Sequence, residues 1–401
     1  MSGPLSPEPW PPALQLARRL AANVARYRGF CLLSSLRLYE PVLFVFYVSS
    51  GLSIAAITAL QALYSVAVIV AEIPTGVVAD RLGSRASAAA GASMFALSVV
   101  VLALGHGLAA FACAEVLGAI GYAFVSGADA TFLHDTLRRL GREREYVTIE
   151  AGTRGLGRAF QSLGNLAGGA LGSLALRLPL VCTAASFAAA AVVMITGIEP
   201  GERGRNRPGV ARIIADSAQA LRRDRTLRWL IAYFALMGAT MFSGYWLLQP
   251  LLRENGLSVF EMGLVFSALG VAVLLGSRVT PALARRSRAA TLRALLVVAA
   301  LALVLAAAPV GLWVVPVFAL FSLLELLAAT MVSAEVLARA PAGRSATLLS
   351  AMSMARRLVY AAVIAAVGVV TDAAGTGVAL LGLGGLVAAV GTWLWLRAPK
   401  L

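Results

Sequence analysis

Residues 72–85 read EIPTGVVADRLGSR and interrupt an otherwise apolar region. The charged residues in this stretch are Glu72, Asp80, Arg81 and Arg85. The flanking windows, 56–78 and 87–105, are each long enough to cross a hydrocarbon core about 30 Å thick, which takes about 20 helical residues. One interpretation is a solvated turn between two hydrophobic helices. A second interpretation is a moving part, and the rest of the chain has to decide between them.

The composition indicates an integral membrane protein. Of the 401 residues, 60% are hydrophobic and only 13% are charged, whereas soluble domains carry about 25% charged residues. Lipid offers no partners to backbone groups, so the spans must be helices or a closed barrel. The long apolar runs lack the alternation of barrel strands. The net charge of +15 does not indicate nucleic-acid binding, because the arginines lie at the ends of apolar windows and are not interleaved with aromatic rings.

The apolar windows predict an all-α membrane protein with about twelve transmembrane helices. Their predicted bounds are 29–49, 56–78, 87–105, 108–132, 148–176, 179–197, 229–252, 258–284, 290–308, 311–336, 346–370 and 375–396. Basic residues concentrate in alternate loops, and only Arg177 and Arg253 lie in the others. Because cytoplasmic loops carry the excess of Lys and Arg, both termini are predicted to be cytoplasmic in a bacterial inner membrane. Residues 13–29 predict an amphipathic helix on the inner membrane surface, with a solvated tail as the alternative.

The two halves of the chain resemble each other. GLSIAAITALQALYSVAVIVAEIPTGVVADR (51–81) aligns without gaps on GLSVFEMGLVFSALGVAVLLGSRVTPALARR (256–286). Two six-helix halves are therefore predicted. The predicted units are a tail 1–28, a first half 29–197, a linker 198–228, a second half 229–396 and a C-terminus 397–401. Such repeats are typical of secondary transporters, in which the substrate binds near the membrane midplane between halves that rock.

The loop 76–85, GVVADRLGSR, resembles the cytoplasmic signature of the major facilitator superfamily, G-x-x-x-D-R-x-G-R-R/K, between the second and third spans. Position, span count and half-repeat all agree with that family, so the resemblance covers essentially the whole chain. It favours a drug or metabolite efflux branch. Ser84 departs from the basic residue that is usual in the family, whereas Arg85 retains the next one.

The resemblance implies that this loop is an inner gate. In the family, the position of Asp80 faces the N-terminal end of span 11, whose free N–H groups favour an anion. Here that end offers Ser345 or Thr347 as caps, and Gly76 would permit close helix approach. The residues predicted to form the gate are Glu72, Gly76, Asp80, Arg81, Gly83 and Arg85, with Arg285 and Arg286 as counterparts in the repeat. Arg285 would face Glu150, and a turn that only satisfies topology is the alternative for both loops.

Ionisable side chains inside spans are costly and are functional candidates. Arg37 and Glu40 stand three residues apart, on one face of the predicted first helix. Glu40 is interpreted as a proton or substrate-cation site with Arg37 as its partner, or the two as a structural ion pair. Glu115 and Glu325, in symmetry-related spans, are predicted to face each other across the cavity and to carry protons together with Glu40. Antiporters often have an Arg where this chain has Glu115, and that departure weakens the transfer of their mechanism.

Arginines in spans 5 and 11 are predicted to lie at equivalent depths. They form either a basic vestibule for an organic anion or side chains that reach the lipid headgroups. The complete set of predicted substrate-binding or proton-binding residues is Arg37, Glu40, Glu115, Asp129, Arg154, Arg158, Tyr245, Gln249, Glu325, Arg356 and Arg357.

These patterns predict a secondary active transporter and not an enzyme, because no catalytic motif is present. No cofactor and no metal are expected. The leading hypothesis is a monomeric, proton-coupled exporter of a small amphiphilic organic compound. The alternative is an importer or facilitator of an organic anion, such as a metal chelate or a metabolite. The expected partners are the substrate, protons and the lipid bilayer, without nucleic acid.

Overall fold

The structure is a computed structural model that describes residues 12–201, 224–284, 288–308, 311–340 and 345–399. Throughout these ranges the regular structure is α-helical, apart from two short 3₁₀ turns. Ten of the described helical segments are long and apolar enough to cross a membrane, which confirms a helical multi-pass membrane protein. The two predicted spans outside these ten are 29–49 and 148–176.

The helices keep the order predicted from the sequence, with extra interruptions. Before the predicted linker they are α1 (Pro12–Ser35), α2 (Leu43–Ser49), α3 (Ile54–Leu82), α4 (Ser84–Leu104), α5 (Gly107–Val125), α6 (Ala128–Arg139), α7 (Tyr146–Leu174) and α8 (Arg177–Ile195). After it they are α9 (Arg225–Trp246), α10 (Leu248–Glu254), α11 (Val259–Ala284), α12 (Arg288–Ala307), α13 (Val314–Arg339), α14 (Ser345–Ala374) and α15 (Thr376–Leu396).

The first predicted span is broken between α1 and α2. Residues 36–42 form turns instead of helix, so the prediction of one continuous helix over 29–49 is wrong. Pro41 explains the break, because proline has no N–H to donate to the carbonyl four residues earlier, and it disfavours helical geometry at the preceding residue, Glu40. The charged residues of the first span therefore lie in irregular backbone.

The second half repeats this interruption. α9 ends at Trp246 and α10 begins at Leu248. Pro250 of α10 cannot donate to the Trp246 carbonyl. The repeats also begin alike, because Gly51 and Gly256 have positive φ angles of 86° and 79°. The internal repeat is thus visible in local geometry as well as in sequence.

The fourth predicted span, 108–132, also divides. Gly127 has a φ of 77°, in the left-handed region that glycine adopts without strain. Its conformation ends the run of α5 and starts α6 at Ala128. Asp129 therefore lies in the first turn of a separate helix, although α5 and α6 together form one apolar segment, Gly107–Arg139.

The amphipathic segment near the N-terminus is continuous with the first span. α1 begins at Pro12 and buries Leu20, Tyr27 and Phe30 against α6, α7 and α8. One face of this helix packs on protein and the other face is exposed, so its position on the inner membrane surface stays a prediction.

Each half has its own hydrophobic core. One core contains Val24 to Met194, and the other contains Leu227 to Leu394 together with Val45 of the first half. The halves meet mainly through two helix pairs, α3 with α14 and α7 with α11. The two pairs are equivalent to each other, because the repeat relates α3 to α11 and α7 to α14.

The two ends of these helix pairs differ in how closely they pack. At the end that contains Asp372, here called the Asp372 end, a Cβ placed on Gly169 would lie 2.7 Å from the Cα of Gly263 in the other half. At the opposite end, called the motif end because it contains Gly83, a Cβ placed on Gly76 or Gly152 would meet no described atom within 4 Å. The halves are thus closed together at the Asp372 end. The close approach expected at Gly76 stays a prediction, because the start of α14, which it would face, is described only in part.

Candidate functional site

Charged and amide side chains collect around the break between α1 and α2. Arg37 and Glu40 both lie in the break, with 3.7 Å between Arg37 Nη1 and Glu40 Oε1. Glu40 Oε2 accepts a hydrogen bond of 2.7 Å from Gln161 Nε2 of α7. The two charged residues therefore pair across a turn and not along a helical face.

Gln249 of the second half completes the backbone hydrogen bonding of that break. In a continuous helix the Phe44 N–H would donate to the Glu40 carbonyl. Instead, Phe44 N donates to Gln249 Oε1 at 3.1 Å, and Gln249 Nε2 donates to the Glu40 carbonyl at 2.9 Å. Both polar atoms of this amide are engaged with backbone in this conformation, and a substrate contact of Gln249 stays a prediction.

Glu115 lies in α5 and is held by neutral groups. Tyr47 Oη donates to Glu115 Oε1 at 2.7 Å, and Gln61 Nε2 donates to the same oxygen at 3.1 Å. The Tyr47 ring packs edge-on against Phe111, with centroids 5.2 Å apart. Within the described residues, no basic side chain pairs with Glu115, and no group donates to its Oε2.

Glu325 has a cation as its partner. Arg356 Nη1 lies 3.7 Å from Glu325 Oε1, and the Arg356 guanidinium stands over the rings of Phe234 and Phe242. Glu325 was expected to face Glu115 across the cavity. No hydrogen bond joins these two described carboxyl groups, because each is bound inside its own half.

The arginines of α7 and α14 do not form one uniform vestibule. Arg154 Nη2 lies 2.7 Å from Asp129 Oδ2 and 4.0 Å from Glu150 Oε1, so this trio is a network within the first half. Arg356 is likewise paired. Arg158 makes no hydrogen bond or ion pair through its guanidinium with the described residues, and Arg357 stacks on Tyr122 of the other half at 4.8 Å.

Several charged side chains keep part of their accessible surface although helices enclose them. The exposed fractions are 38% for Arg37, 23% for Glu40, 25% for Arg356 and 32% for Glu325. Tyr245 packs edge-on against Phe266 nearby, with centroids 5.5 Å apart. Residues from both halves thus line an internal opening that is partly aromatic and partly charged.

At the motif end, Glu199 binds the turn between α3 and α4. Glu199 Oε1 accepts from Ser84 N at 3.0 Å and from Ser84 Oγ at 2.9 Å, and Oε2 accepts from Arg85 N at 3.1 Å. Arg85 in turn donates to the carbonyl of Ile195 at the end of α8. Gly83 has a φ of 89°, and its missing side chain leaves room for the carboxylate of Glu199. This role of Glu199 was missed because the residue lies far from the motif in sequence.

Other gate residues are only partly visible. Arg81 is exposed, and Glu72 is half-buried without a hydrogen bond or ion pair to the described side chains. The side chains of Asp80 and Ser345, and the whole of Arg285 and Arg286, lie outside the described residues. The gate therefore stays a prediction. In the described part of the chain, no three His, Cys, Asp or Glu side chains cluster as a metal site would require.

Two helical halves around charged groups in the interior of a membrane bundle define a membrane transporter. The chain belongs to the Major Facilitator Superfamily, because the sequence profile of that family matches residues 29–364. This confirms the family that the motif and the repeat indicated.

Similar proteins agree with this assignment. The uncharacterized MFS-type transporter YxaM of Bacillus subtilis (strain 168) is 24% identical over 245 residues, which make up 59% of this chain and 60% of that protein. The chain therefore matches less than two thirds of that relative's length. The nucleoside transporter NupG has a TM-score of 0.72 at 15% identity, over 95% of this chain and 98% of its own. A POT family transporter in complex with a thioalcohol-conjugated peptide has a TM-score of 0.67 at 14% identity, over 96% of both chains. These two likenesses show a shared fold.

Proposed function

We propose that the protein is a monomeric secondary active transporter that exports a small amphiphilic organic compound in exchange for protons. Twelve spans cross a bacterial inner membrane, with α1 and α2 together as the first and α7 as the fifth. The arginine-rich motif end faces the cytoplasm, together with both termini. The conformation described above is then closed toward the outside.

The environment of Glu115 is the main observation in support of proton coupling. Ionisable groups inside membrane proteins mark proton relays by default. This carboxyl group is bound by Tyr47 and Gln61 through a single oxygen, so its second oxygen is available to hold a proton. Glu40, which pairs with Arg37 in the same half, is the second candidate in a relay.

The surroundings of the charged residues support an amphiphilic substrate. Binding sites for small organic molecules are mostly apolar, with a few polar groups that fix orientation. Here Arg357 stands over the Tyr122 ring, which places a flat aromatic face next to charge, and Tyr245 packs edge-on against Phe266. A sugar carrier would need more hydrogen-bonding side chains than this region offers.

The test uses purified protein in liposomes that enclose a pH-sensitive dye. A panel of amphiphilic cations, neutral compounds and organic anions is added, and substrate-dependent proton movement is recorded. Glu115→Gln should abolish proton movement while substrate exchange without a gradient continues. The matched control is Glu254→Gln, which removes a carboxylate that bonds Thr376 at 2.6 Å outside the cluster and should leave proton movement intact. Proton movement that persists in Glu115→Gln would refute the assignment.

A second function is favoured by Arg158 and Arg357, whose guanidinium groups form no ion pair or hydrogen bond with a described carboxylate. Guanidinium groups bind carboxylates and phosphates with two parallel hydrogen bonds, so these residues suit an organic anion. In the same liposomes, anion uptake without proton movement that disappears in Arg158→Ala or Arg357→Ala would establish this alternative. Arg253→Ala, at an exposed position of α10, is the control.

A further inference from the structure

Asp372, near the end of α14, binds the start of α3 in the other half. Its Oδ1 accepts from Ile54 N at 3.0 Å, and its Oδ2 accepts from Ala55 N at 2.9 Å. The two oxygens thus take two neighbouring backbone donors. The contact joins residues 318 and 317 positions apart in the chain, and no motif signals it.

The first turn of α3 shows why this carboxylate matters. The N–H groups in the first turn of a helix have no partner within the helix. Here Ser53 Oγ accepts from Ala56 N at 3.2 Å, and the Ser53 carbonyl accepts from Ile57 N at 3.0 Å. The remaining donors, Ile54 and Ala55, depend on Asp372. A negative charge is also favoured at this end of a helix by the helix dipole.

The packing below Asp372 joins the same two helices. Gly368, one turn earlier on α14, lies against Thr58 and Ala55 of α3, and any side chain at this glycine would clash with the Thr58 hydroxyl. The close helix approach and the carboxylate contact therefore occur together. Asp372 is itself exposed, so separation of α3 from α14 at this end would break both hydrogen bonds and open the packed contact at Gly368.

We propose that Asp372 is a positioning residue of the transport cycle that fastens the two halves at the Asp372 end. The inference rests on the proposed function in one respect, that the halves separate at this end during transport. Two charge-assisted hydrogen bonds and the attraction between Asp372 and the dipole of α3 stabilise the closed state. These interactions are lost once the halves part. Asp372 therefore sets the balance between the two conformations without touching the substrate.

The experiment measures the distance across this end in nanodiscs, without substrate and without a proton gradient. Spin labels are placed at exposed Ser50 and Ala374 after replacement of the native cysteines Cys31, Cys113 and Cys182. Asp372→Ala should raise the ratio of long to short distances about tenfold, which corresponds to about 1.4 kcal/mol. Asp372→Asn should give a smaller increase, because the amide retains one acceptor. The control is Glu254→Gln, whose contact with Thr376 lies within one half, and its distances should match those of the parent.

A second variant keeps the test decisive if Asp372→Ala proves unstable. Gly368→Val inserts a side chain between α14 and α3 and should lengthen the same distance. If Gly368→Val lengthens the distance and a folded Asp372→Ala does not, the proposal is overturned. A lengthened distance in Asp372→Ala supports it even if the liposome assay shows no proton coupling. The failure of one proposal is thus distinguishable from the failure of the other.

Discussion

Gln249 shows how much a single amide contributes where a helix is interrupted. The residue supplies a donor to the Glu40 carbonyl and an acceptor to the Phe44 N–H, and it is buried, with 6% of its surface exposed. A buried backbone group without a partner is expensive, because it has lost its water and gained nothing in exchange. The break in the first span is therefore stable only while the second half is in contact with it.

We predict that Gln249→Leu lowers the free energy of unfolding by about 1–3 kcal/mol, since it leaves one N–H and one C=O unpaired. Thermal unfolding in detergent, followed by helical circular dichroism, measures this. Asn255→Leu is the control, because Asn255 is exposed and donates only to the Leu251 carbonyl of its own helix. Equal unfolding midpoints for the two variants would contradict the proposed role of Gln249.

At the residue scale, sequence indicated which side chains were charged inside the membrane but rarely their partners. The pair of Arg37 and Glu40 was predictable because the two residues stand three positions apart. The donors to Glu115 and the contacts of Gln249 were not, since they join positions 54 to 209 residues apart. Such contacts follow from the packing of the halves, which no local pattern encodes.

At the scale of single helices, the apolar windows predicted the positions of the helices more accurately than the points at which the helices are interrupted. The windows over 29–49 and 108–132 are mostly hydrophobic, although the structure interrupts both. The signals were present as Pro41 and Gly127, but hydropathy does not weigh backbone geometry. Proline and glycine inside a membrane window were therefore the features that deserved more weight.

The start of α4 provides a prediction at this scale. Glu199 accepts from both Ser84 and Arg85 and so caps the helix from a distance. We expect Glu199→Ala to speed hydrogen exchange of the first α4 amides about fivefold, since loss of a cap costs about 1 kcal/mol. Mass spectrometry of the peptide over 84–90 measures it. The control is Glu143→Ala, at an exposed 3₁₀ position, which should leave the exchange rate of that peptide unchanged. An unchanged exchange rate in Glu199→Ala as well would contradict the role of Glu199 as a cap.

For the whole molecule, the internal repeat and the composition predicted the helical membrane class, and the motif indicated the family. Both predictions are confirmed by the helices and by the match over residues 29–364. The closed Asp372 end was not predictable, because it depends on glycines that meet across the halves. The sequence around Gly169 and Gly263 indicates only that small residues are present. That the two glycines face each other is seen in the packed bundle.

We predict that Gly169→Val forces the halves apart at the Asp372 end. A side chain there would overlap Gly263 of α11, and overpacking costs about 1–3 kcal/mol. The distance between labels at Ser50 and Ala374 should lengthen. Gly382→Val is the control, because Gly382 is exposed and has open space around it. A Gly169→Val protein that keeps the parent distance would show that this contact does not hold the end closed.

The broken first span also has a consequence for biosynthesis. The first and fifth predicted spans are the two outside the ten apolar segments, and they are neighbours, with the Leu38 carbonyl seated against Gly168 of α7. A nascent chain makes this break well before Gln249, which follows Glu40 by 209 residues, or about 10–40 seconds at ribosomal rates of about 5–20 residues per second. During that interval the unpaired backbone of the break has no partner in lipid. We therefore expect the first span to stay beside the translocon until the second half, which carries Gln249, has been made.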